Sequence, residues 1–266
     1  MNWYTGNTTF DTVLTIGFVF AALTIIGGAF MPQTPYGRFG TDKWGMALNP
    51  KFGWWLMEIP ATVVFLWFYL QGPRTTELVP MILAAVWLIH YANRGWFFPL
   101  SIRVAPGRKS TFSISIVLSG MFVTAIHGYM NATWFNEFAP HLTRDWLSDP
   151  RFWLGLVVYY SGFALILHSE WVVRNLRDPA KLSAGTESDY KIPYGGGYRF
   201  VSSPTYLGEL TAWTGFSIMT WGLPGLVILL ISAGNLVPRA IATQRWYNEK
   251  FPDYPQNRKA IFPYVL

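Results

Sequence analysis

The amino-acid sequence predicts an all-α protein, a polytopic membrane bundle of seven transmembrane helices in a single domain, residues 1–266. The first indication is composition: 52% of the residues are hydrophobic and only 13% are charged, whereas soluble domains carry about 25% charged residues. The second is a series of long apolar stretches, and the third is an uneven distribution of Lys and Arg among the loops. A soluble domain of this length would lack the charge needed to cover its surface.

Seven apolar stretches are long enough to cross a bilayer, which requires about 20 helical residues. Five of them lie at about 10–31, 53–70, 79–100, 111–134 and 152–171. A further apolar run at 206–237 is too long for one span, and the segment Trp221-Gly222-Leu223-Pro224 interrupts it. Because Gly and Pro favour turns, this run is predicted to form two helices joined by a tight turn.

The loop charges predict the orientation of the bundle. When the loops are assigned alternately to two sides, all of the 20 Lys and Arg except Arg74, Arg144 and Arg151 fall on one side. Positive residues concentrate in cytoplasmic loops, so the N-terminus is predicted outside and the C-terminus in the cytoplasm. The net charge of +6 is then a topology signal, and no nucleic-acid partner is expected.

The chain contains no Cys, which excludes disulfides, thiolate metal sites and Cys nucleophiles. The four His are scattered without the spacing of zinc ligands. We therefore expect no metal.

Glu58 lies inside the second predicted span, in the segment Trp54-Trp55-Leu56-Met57-Glu58-Ile59-Pro60. A carboxylate at the centre of a transmembrane helix destabilises insertion by roughly 2.5–3.5 kcal/mol, so such acids are functional candidates. The alternative is a structural role, in which Glu58 bonds the backbone that Pro60 frees from the helical hydrogen-bond ladder.

Two further polar groups lie near the ends of predicted spans. His90, Tyr91, Asn93 and Arg94 share neighbouring turns of the third span, which favours a polar cavity, although Arg94 could instead extend to the lipid headgroups. Arg174 and Arg177 share one face after the fifth span, where they suit either lipid headgroups or a phosphate. Glu209 begins the sixth span as a second candidate buried acid.

Several segments, which together cover nearly the whole chain after the first span, carry a family resemblance. They are Leu56-Met57-Glu58-Ile59-Pro60, His90-Tyr91-Ala92-Asn93-Arg94, Asp149-Pro150-Arg151-Phe152, His168-Ser169-Glu170, Arg174-Asn175-Leu176-Arg177, Tyr190-Lys191-Ile192-Pro193-Tyr194-Gly195-Gly196, Tyr206-Leu207-Gly208-Glu209, Trp246-Tyr247, Phe251-Pro252-Asp253-Tyr254-Pro255 and Arg258-Lys259. These segments resemble the steroid 5α-reductase family.

The resemblance implies a seven-helix membrane enzyme that uses NADPH to reduce the Δ4 double bond of 3-oxo steroids to 5α-dihydro steroids. It implies that Glu58 and Tyr91 are the catalytic pair at the steroid C3 carbonyl, with Trp54 and Met57 in contact with the substrate. It further implies a substrate-side half, about 1–135, and a cofactor-side half, about 136–266. The implied cofactor-binding residues are Arg94, Arg103, Glu170, Arg177, Tyr190, Tyr206, Glu209, Arg239 and Tyr247.

The sequence departs from the family pattern at three positions. Met57 stands where vertebrate relatives often have Gln, and Ile166 and Thr243 stand where some relatives have Asn and His near the cofactor. These departures bear on steroid preference and cofactor affinity.

The chemistry of the residues agrees with an enone reductase. Hydride transfer to C5 develops negative charge on the carbonyl oxygen, and a hydrogen-bond donor there stabilises it best in a dry site. The Tyr91 hydroxyl can donate, and a protonated Glu58 can donate directly or through Tyr91.

Three alternatives remain open from the residues: a related reductase of polyprenyl or enoyl-thioester substrates, an isoprenylcysteine-type methyltransferase, and a seven-span receptor or transporter. The expected partners are a steroid arriving from the lipid phase and membrane lipids, and the protein is expected to be a monomer. A bacterial inner membrane is the favoured location, or the endoplasmic reticulum if the protein is eukaryotic.

Overall fold

The computed structural model describes residues 4–31, 36–39, 45–103, 112–176, 178, 180–181, 184 and 190–266. The predicted site residue Arg177 lies outside the described residues.

The described part of the chain is mostly helical, as predicted. Each stretch predicted as a span is mostly helical, although the third includes a π-helical turn and the described part of the fourth begins in a short strand. The helices are α1 (Thr8–Phe30), α2 (Pro50–Gln71), α3 (Leu78–Tyr91), the short α4 (Phe98–Ser101), α5 (Ile114–Thr133), α6 (Pro150–Asn175), α7 (Pro204–Thr220) and α8 (Leu223–Lys250). Two π-helical turns, Ala92–Phe97 and Trp134–Phe138, join α3 to α4 and extend α5.

Local sequence explains where several helices begin and end. The side chain of Asn49 accepts a hydrogen bond from the Lys51 amide at 2.9 Å, ahead of Pro50 at the first position of α2. Asp149 caps α6 in the same way, and Asn, Asp and an N1 proline are favoured at these positions. Trp221 ends α7 with a left-handed φ of 44°, at the turn predicted between the last two helices.

Two short strands, β1 (Ala47–Leu48) and β2 (Phe112–Ser113), pair antiparallel with Ala47 opposite Ser113. The sequence did not predict them. They tie the start of α2 to the start of α5.

Among the residues that the structure describes, five helical segments are long and apolar enough to cross a membrane: Thr8–Phe30, Pro50–Gln71, Ile114–Phe138, Pro150–Asn175 and Leu223–Lys250. The chain is therefore a multi-pass membrane protein. The two other predicted spans correspond to α3 and α7, which have 14 and 17 residues. At ~1.5 Å per residue, α7 reaches about 26 Å, short of a hydrocarbon core of ~30 Å. The count of seven spans and the orientation of the termini stay predictions.

The last helix is longer than the apolar run predicted. That run ends near residue 237, whereas α8 continues through Pro238 to Lys250. Pro238 has no amide hydrogen, so the Gly234 carbonyl loses its usual helical donor. The helix continues because tertiary packing buries its later residues, among them Arg239, Thr243 and Tyr247.

Glycines allow α6 and α7 to approach at backbone distance. A Cβ on Gly162 would lie 2.5 Å from the Gly208 carbonyl oxygen, and one on Gly155 would lie 2.6 Å from the Gly215 carbonyl oxygen. Membrane helices associate through such small residues, because lipid provides no hydrophobic driving force between helices. This seam holds α6 and α7 together beside the central core.

The largest hydrophobic core lies where α2, α3, α6 and α7 meet, around Trp87, Phe65, Tyr159 and Phe216. The C-terminal segment after α8 folds back on the residues before α7. There the Ser202 amide donates to the Lys259 carbonyl at 2.7 Å, and the Lys259 amide donates to the Phe200 carbonyl at 2.9 Å.

Candidate active site

Glu58 and Arg94 form an ion pair between α2 and the π-helical turn that follows α3. The Nε atom of Arg94 donates to Oε1 of Glu58 at 2.9 Å, and Glu58 is 2% exposed. Gly95 permits the approach, since a Cβ there would lie 3.3 Å from the Cβ of Glu58. Single π-helical turns are frequent at functional sites, and this one places the Arg94 guanidinium against α2.

Glu209 of α7 completes the group. The Nη1 atom of Arg94 lies 3.1 Å from the Glu209 carboxylate, and Nε1 of Trp213 donates to Oε1 of Glu209 at 3.2 Å. One guanidinium thus faces two buried carboxyl groups from two other helices. We call Glu58, Arg94 and Glu209 the acid–arginine cluster.

Tyr91 is buried beside this cluster but is not hydrogen-bonded to it. Its ring packs 4.7 Å from that of Trp87 and 6.3 Å from that of Trp213, measured between centroids. Its hydroxyl makes no hydrogen bond within the described residues, and Glu58 bonds Arg94 instead. The Tyr91 hydroxyl is therefore available to an incoming acceptor such as a ketone oxygen.

The two predicted substrate-contact residues flank the cluster on α2. Nε1 of Trp54 donates to the Arg94 carbonyl at 3.2 Å, and the Arg94 guanidinium lies 5.5 Å from the Trp54 ring. The backbone carbonyl of Met57 accepts a hydrogen bond from the Thr124 hydroxyl of α5 at 2.8 Å. The Met57 side chain fills the space above Gly120.

A second polar group joins the end of α3 to the end of α6. Nδ2 of Asn93 donates to Oε2 of Glu170 at 3.1 Å. Near it, Nη1 of Arg103 donates to the Arg174 carbonyl at 2.7 Å. These contacts join two pairs of residues, Asn93 with Glu170 and Arg103 with Arg174, which the sequence separates by 77 and 71 positions.

Arg239 of α8 lies in a third group, with Tyr206 and Tyr36. Its Nε donates to the Tyr206 hydroxyl at 2.9 Å and its Nη2 to the Tyr36 carbonyl at 3.0 Å. The guanidinium also stacks 3.6 Å from the Tyr36 ring centroid. Burial raises the pKa of the Tyr36 hydroxyl, although the charge of Arg239 opposes the rise.

The two remaining predicted tyrosines belong to an aromatic cluster beside the C-terminal segment. The rings of Tyr190 and Trp246 lie 4.9 Å apart, and those of Tyr247 and Tyr254 stack at 5.0 Å.

Among the positions that depart from the family pattern, Ile166 is buried in the seam between α6 and α7 against Gly208, and Thr243 is 5% exposed on α8.

Hydrogen-bond donors lie near the end of the bundle where α6 finishes and α7 begins, and such groups suit an anionic ligand. Arg103 donates to the Arg174 carbonyl at the end of α6, and Arg239 donates to Tyr206 at the start of α7. Three buried polar atoms have no hydrogen-bond partner within the described residues: Oγ of Ser169, Oγ of Ser203 and Nη1 of Arg258. Buried polar atoms are normally hydrogen-bonded, so these donors are available to a bound polar group.

Several contact residues lie outside the site predicted from the sequence. Trp213 follows Glu209 by four residues, the spacing of neighbours on a helix face, so that spacing was a usable signal. His90 and Asn93 were noted only as polar neighbours of Tyr91. Nothing local pointed to Tyr36, whose partner Arg239 is 203 positions away.

Comparison with known proteins identifies the family. A sequence model described as 3-oxo-5-alpha-steroid 4-dehydrogenase matches residues 110–266. The chain belongs to the 3-oxo-5-alpha-steroid 4-dehydrogenase family. It is 35% identical to 3-oxo-5-alpha-steroid 4-dehydrogenase 1 of Rattus norvegicus over 249 residues, which cover 93% of this chain and 92% of the relative.

A plant member of the family is about as similar. Steroid 5-alpha-reductase DET2 of Solanum lycopersicum is 34% identical over 234 residues, 87% of this chain and 88% of the relative. Membership of the 3-oxo-5-alpha-steroid 4-dehydrogenase family agrees with the resemblance seen in the sequence.

Proposed function

We propose that this protein is an NADPH-dependent steroid 5α-reductase that reduces the Δ4 double bond of 3-oxo steroids. The observation that carries the proposal is the 35% identity to 3-oxo-5-alpha-steroid 4-dehydrogenase 1 of Rattus norvegicus over 93% of this chain. The buried acid–arginine cluster beside the unbonded Tyr91 hydroxyl gives the proposal a chemical basis.

In the proposed reaction, Tyr91 binds the C3 carbonyl oxygen of the steroid. NADPH, when bound, would supply the hydride for C5, and water would supply the proton for C4. As the double bond accepts the hydride, negative charge moves to the carbonyl oxygen, where a fixed donor in a dry site is most effective. The Tyr91 hydroxyl is that donor. Glu58 is the buried acid that we propose to assist it.

Arg94 has two roles in this proposal. It holds Glu58 and Glu209 in place, and its positive charge favours negative charge in the same region of the site. Nine residues are proposed to contact the cofactor: Arg94, Arg103, Glu170, Arg177, Tyr190, Tyr206, Glu209, Arg239 and Tyr247. Guanidinium groups suit the phosphates of a dinucleotide.

The apolar exterior of the bundle supports entry of the steroid from the lipid. We propose seven spans, with the N-terminus outside and the C-terminus in the cytoplasm, where NADPH is produced. Reporter fusions at the two termini test this orientation: a cytoplasmic reporter should be active at the C-terminus and silent at the N-terminus. Activity at both ends would contradict it.

Product analysis by mass spectrometry tests the function. Purified protein in detergent is incubated with NADPH and progesterone or testosterone, and the expected product is the 5α-dihydro steroid. Tyr91→Phe and Glu58→Gln should each lower turnover by about 100-fold or more while NADPH still binds. Wild-type turnover by both variants would contradict the assigned roles.

The same assay separates the alternatives. NADPH binding without a steroid product would point to polyprenyl or enoyl-thioester acceptors. Binding of S-adenosylmethionine in place of NADPH would point to a methyltransferase.

A further inference from the structure

His90 is buried within the core of the bundle and has no role in the reaction as proposed above. It is 1% exposed and lies on α3, one helical turn before Arg94. Its Nδ1 atom is 3.2 Å from the Tyr159 hydroxyl of α6. Its Nε2 atom is 3.6 Å from Oε1 of Glu209 on α7.

The surrounding hydrogen bonds decide where the imidazole proton lies. The Tyr159 hydroxyl has one hydrogen and two neighbours, Nδ1 of His90 and the Val86 carbonyl at 3.3 Å. If this hydroxyl donated to Val86, Nδ1 of a neutral His90 would carry the proton, and the lone pair on Nε2 would face the Glu209 carboxylate. If it donates to Nδ1, Nε2 carries the proton and directs an N–H dipole at the carboxylate.

The second arrangement is favourable and the first is repulsive. The distance of 3.6 Å between Nε2 and Oε1 exceeds that of a hydrogen bond, so the attraction is between a dipole and a charge. Both groups are buried, where such interactions are stronger than in water. The Glu209 carboxylate thereby selects the Nε2–H tautomer of His90, Tyr159 matches it by donating to Nδ1, and the Nε2–H dipole in turn orients the carboxyl group of Glu209.

We propose that His90 is a positioning residue for Glu209, acting in its Nε2–H tautomer while Nδ1 accepts a hydrogen bond from Tyr159. This inference rests on the proposed function, in which Glu209 is a cofactor contact and its orientation affects the affinity for NADPH. Glu209 is held by Arg94 and Trp213 as well, but Arg94 is shared with Glu58. Without His90, the Glu209 carboxylate would be held more by Arg94. Stronger pairing of Arg94 with Glu209 would weaken the ion pair between Arg94 and Glu58.

The competing explanation is a core histidine that only fills space, since its ring lies 4.4 Å from that of Trp213 between centroids. Two substitutions separate the explanations. His90→Phe keeps an aromatic ring in the core but removes the N–H. His90→Gln removes the ring but can place an amide N–H toward Glu209.

NADPH binding to the purified full-length protein is the first measurement. His90→Phe should weaken NADPH binding by about tenfold, the effect of losing one interaction with a charged group, with a smaller change in kcat. His90→Gln should recover most of that affinity. If His90→Phe binds NADPH as the wild type does, or if His90→Gln is the weaker variant, His90 only fills space and the proposal is wrong.

Nitrogen NMR of 15N-histidine-labelled protein without cofactor is the second measurement. The signals lost in His90→Gln assign His90, whose neutral Nε2–H tautomer should be present. Glu209→Gln should weaken the tautomer preference because the carboxylate charge is lost, and Tyr159→Phe should shift the Nδ1 signal because Nδ1 loses its hydrogen-bond donor. An Nδ1–H tautomer, or no response to either substitution, would overturn the proposal.

The second measurement also separates the inference from the proposed function. If the wild type binds no NADPH, the proposed function fails, and the NMR experiment still decides whether Tyr159 and Glu209 set the state of His90. If the wild type binds NADPH and the NMR result is negative, the function stands and the positioning role fails.

Discussion

At the scale of single residues, charge balance inside the bundle dominates. Arg94 faces the carboxyl groups of Glu58 and Glu209, at 2.9 and 3.1 Å. Its side chain is only partly buried, whereas both acids are almost fully buried. A buried carboxylate that loses its partner is strongly destabilising, much more than the intact pair is stabilising.

Replacing Arg94 tests this balance. Arg94→Met should lower the free energy of unfolding by about 3–5 kcal/mol, because it leaves two buried acids without their shared cation. Adding Glu58→Gln and Glu209→Gln to Arg94→Met should recover part of that loss, since the buried charges are then removed. Thermal unfolding in detergent measures both. If Arg94→Met alone were as stable as the wild type, water would have to solvate the two acids, and the prediction would be wrong.

A second residue-scale prediction concerns acid stability at the start of α6. A hydrogen bond and charge from Arg151 lower the pKa of Asp149 to about 2, against an ordinary value of 3.8. The unfolded chain therefore binds a proton at a higher pH than the folded chain does, so Asp149 stabilises the fold above pH ~4. This stability is lost as the pH falls from about 4 to 2.

Asp149→Asn is the matched variant, because Asn keeps the helix-capping oxygen but cannot ionise. Its unfolding temperature should change less than that of the wild type between pH 4 and pH 2. Burial also lowers the pKa of His141, which adds a separate loss of stability below pH ~6.5. Identical acid profiles for Asp149→Asn and wild type would refute a role for Asp149.

At the scale of elements, the seam between α6 and α7 fixes how the helices pack. Gly155 and Gly162 of α6 meet the backbone of α7 directly, with no space for a side chain. The seam lies next to Glu209 and Tyr159, so helix spacing there sets the distance across the site. The π-helical turn after α3 has a comparable role, because it carries Arg94 between α2 and α7.

Gly162→Leu should destabilise the protein by at least ~3 kcal/mol, beyond the usual range for overpacking of side chains, because the contact is with backbone atoms that cannot move aside. Gly27→Leu is the control, since nothing lies within 4 Å of a Cβ built at Gly27 on α1. That variant should retain wild-type stability or gain slightly, as Gly is a poor helix former. Unfolding temperatures of the two variants give the comparison, and equal effects would refute the seam.

At the scale of the whole molecule, the C-terminal segment closes the end of the bundle. Its backbone bonds to Phe200, Ser202 and Ser203, and Ile261 is fully buried while Tyr264 is 82% exposed. The segment therefore supports the start of α7, the helix that carries Glu209.

Ile261→Ala should cost about 2–5 kcal/mol and weaken NADPH binding, because the cofactor end of the bundle loses its support. Tyr264→Ala, three residues away, should stay within about 0.5 kcal/mol of wild type. Chemical unfolding in detergent and NADPH titration test the pair. Full NADPH affinity in a destabilised Ile261→Ala protein would separate the segment from the cofactor site.

The sequence by itself determined the helices, their approximate limits and the location of the protein in a membrane. Hydropathy and capping are local properties, so runs of apolar residues and residues such as Asn49 and Asp149 are readable without knowledge of the fold. The same reasoning singled out Glu58 and Glu209, because an acid in an apolar span is conspicuous. Family resemblance then predicted their roles.

Only the tertiary structure decided which of these residues meet. Arg94 and Glu209 are 115 positions apart, and their contact depends on the glycine seam, the π-helical turn and the order of the helices. The length of α8 beyond the apolar run, the pairing of Arg239 with Tyr36 and the contact of His90 with Glu209 have the same origin. Each is set by packing between helices, and neither the hydropathy nor the local spacing of either partner contains that information.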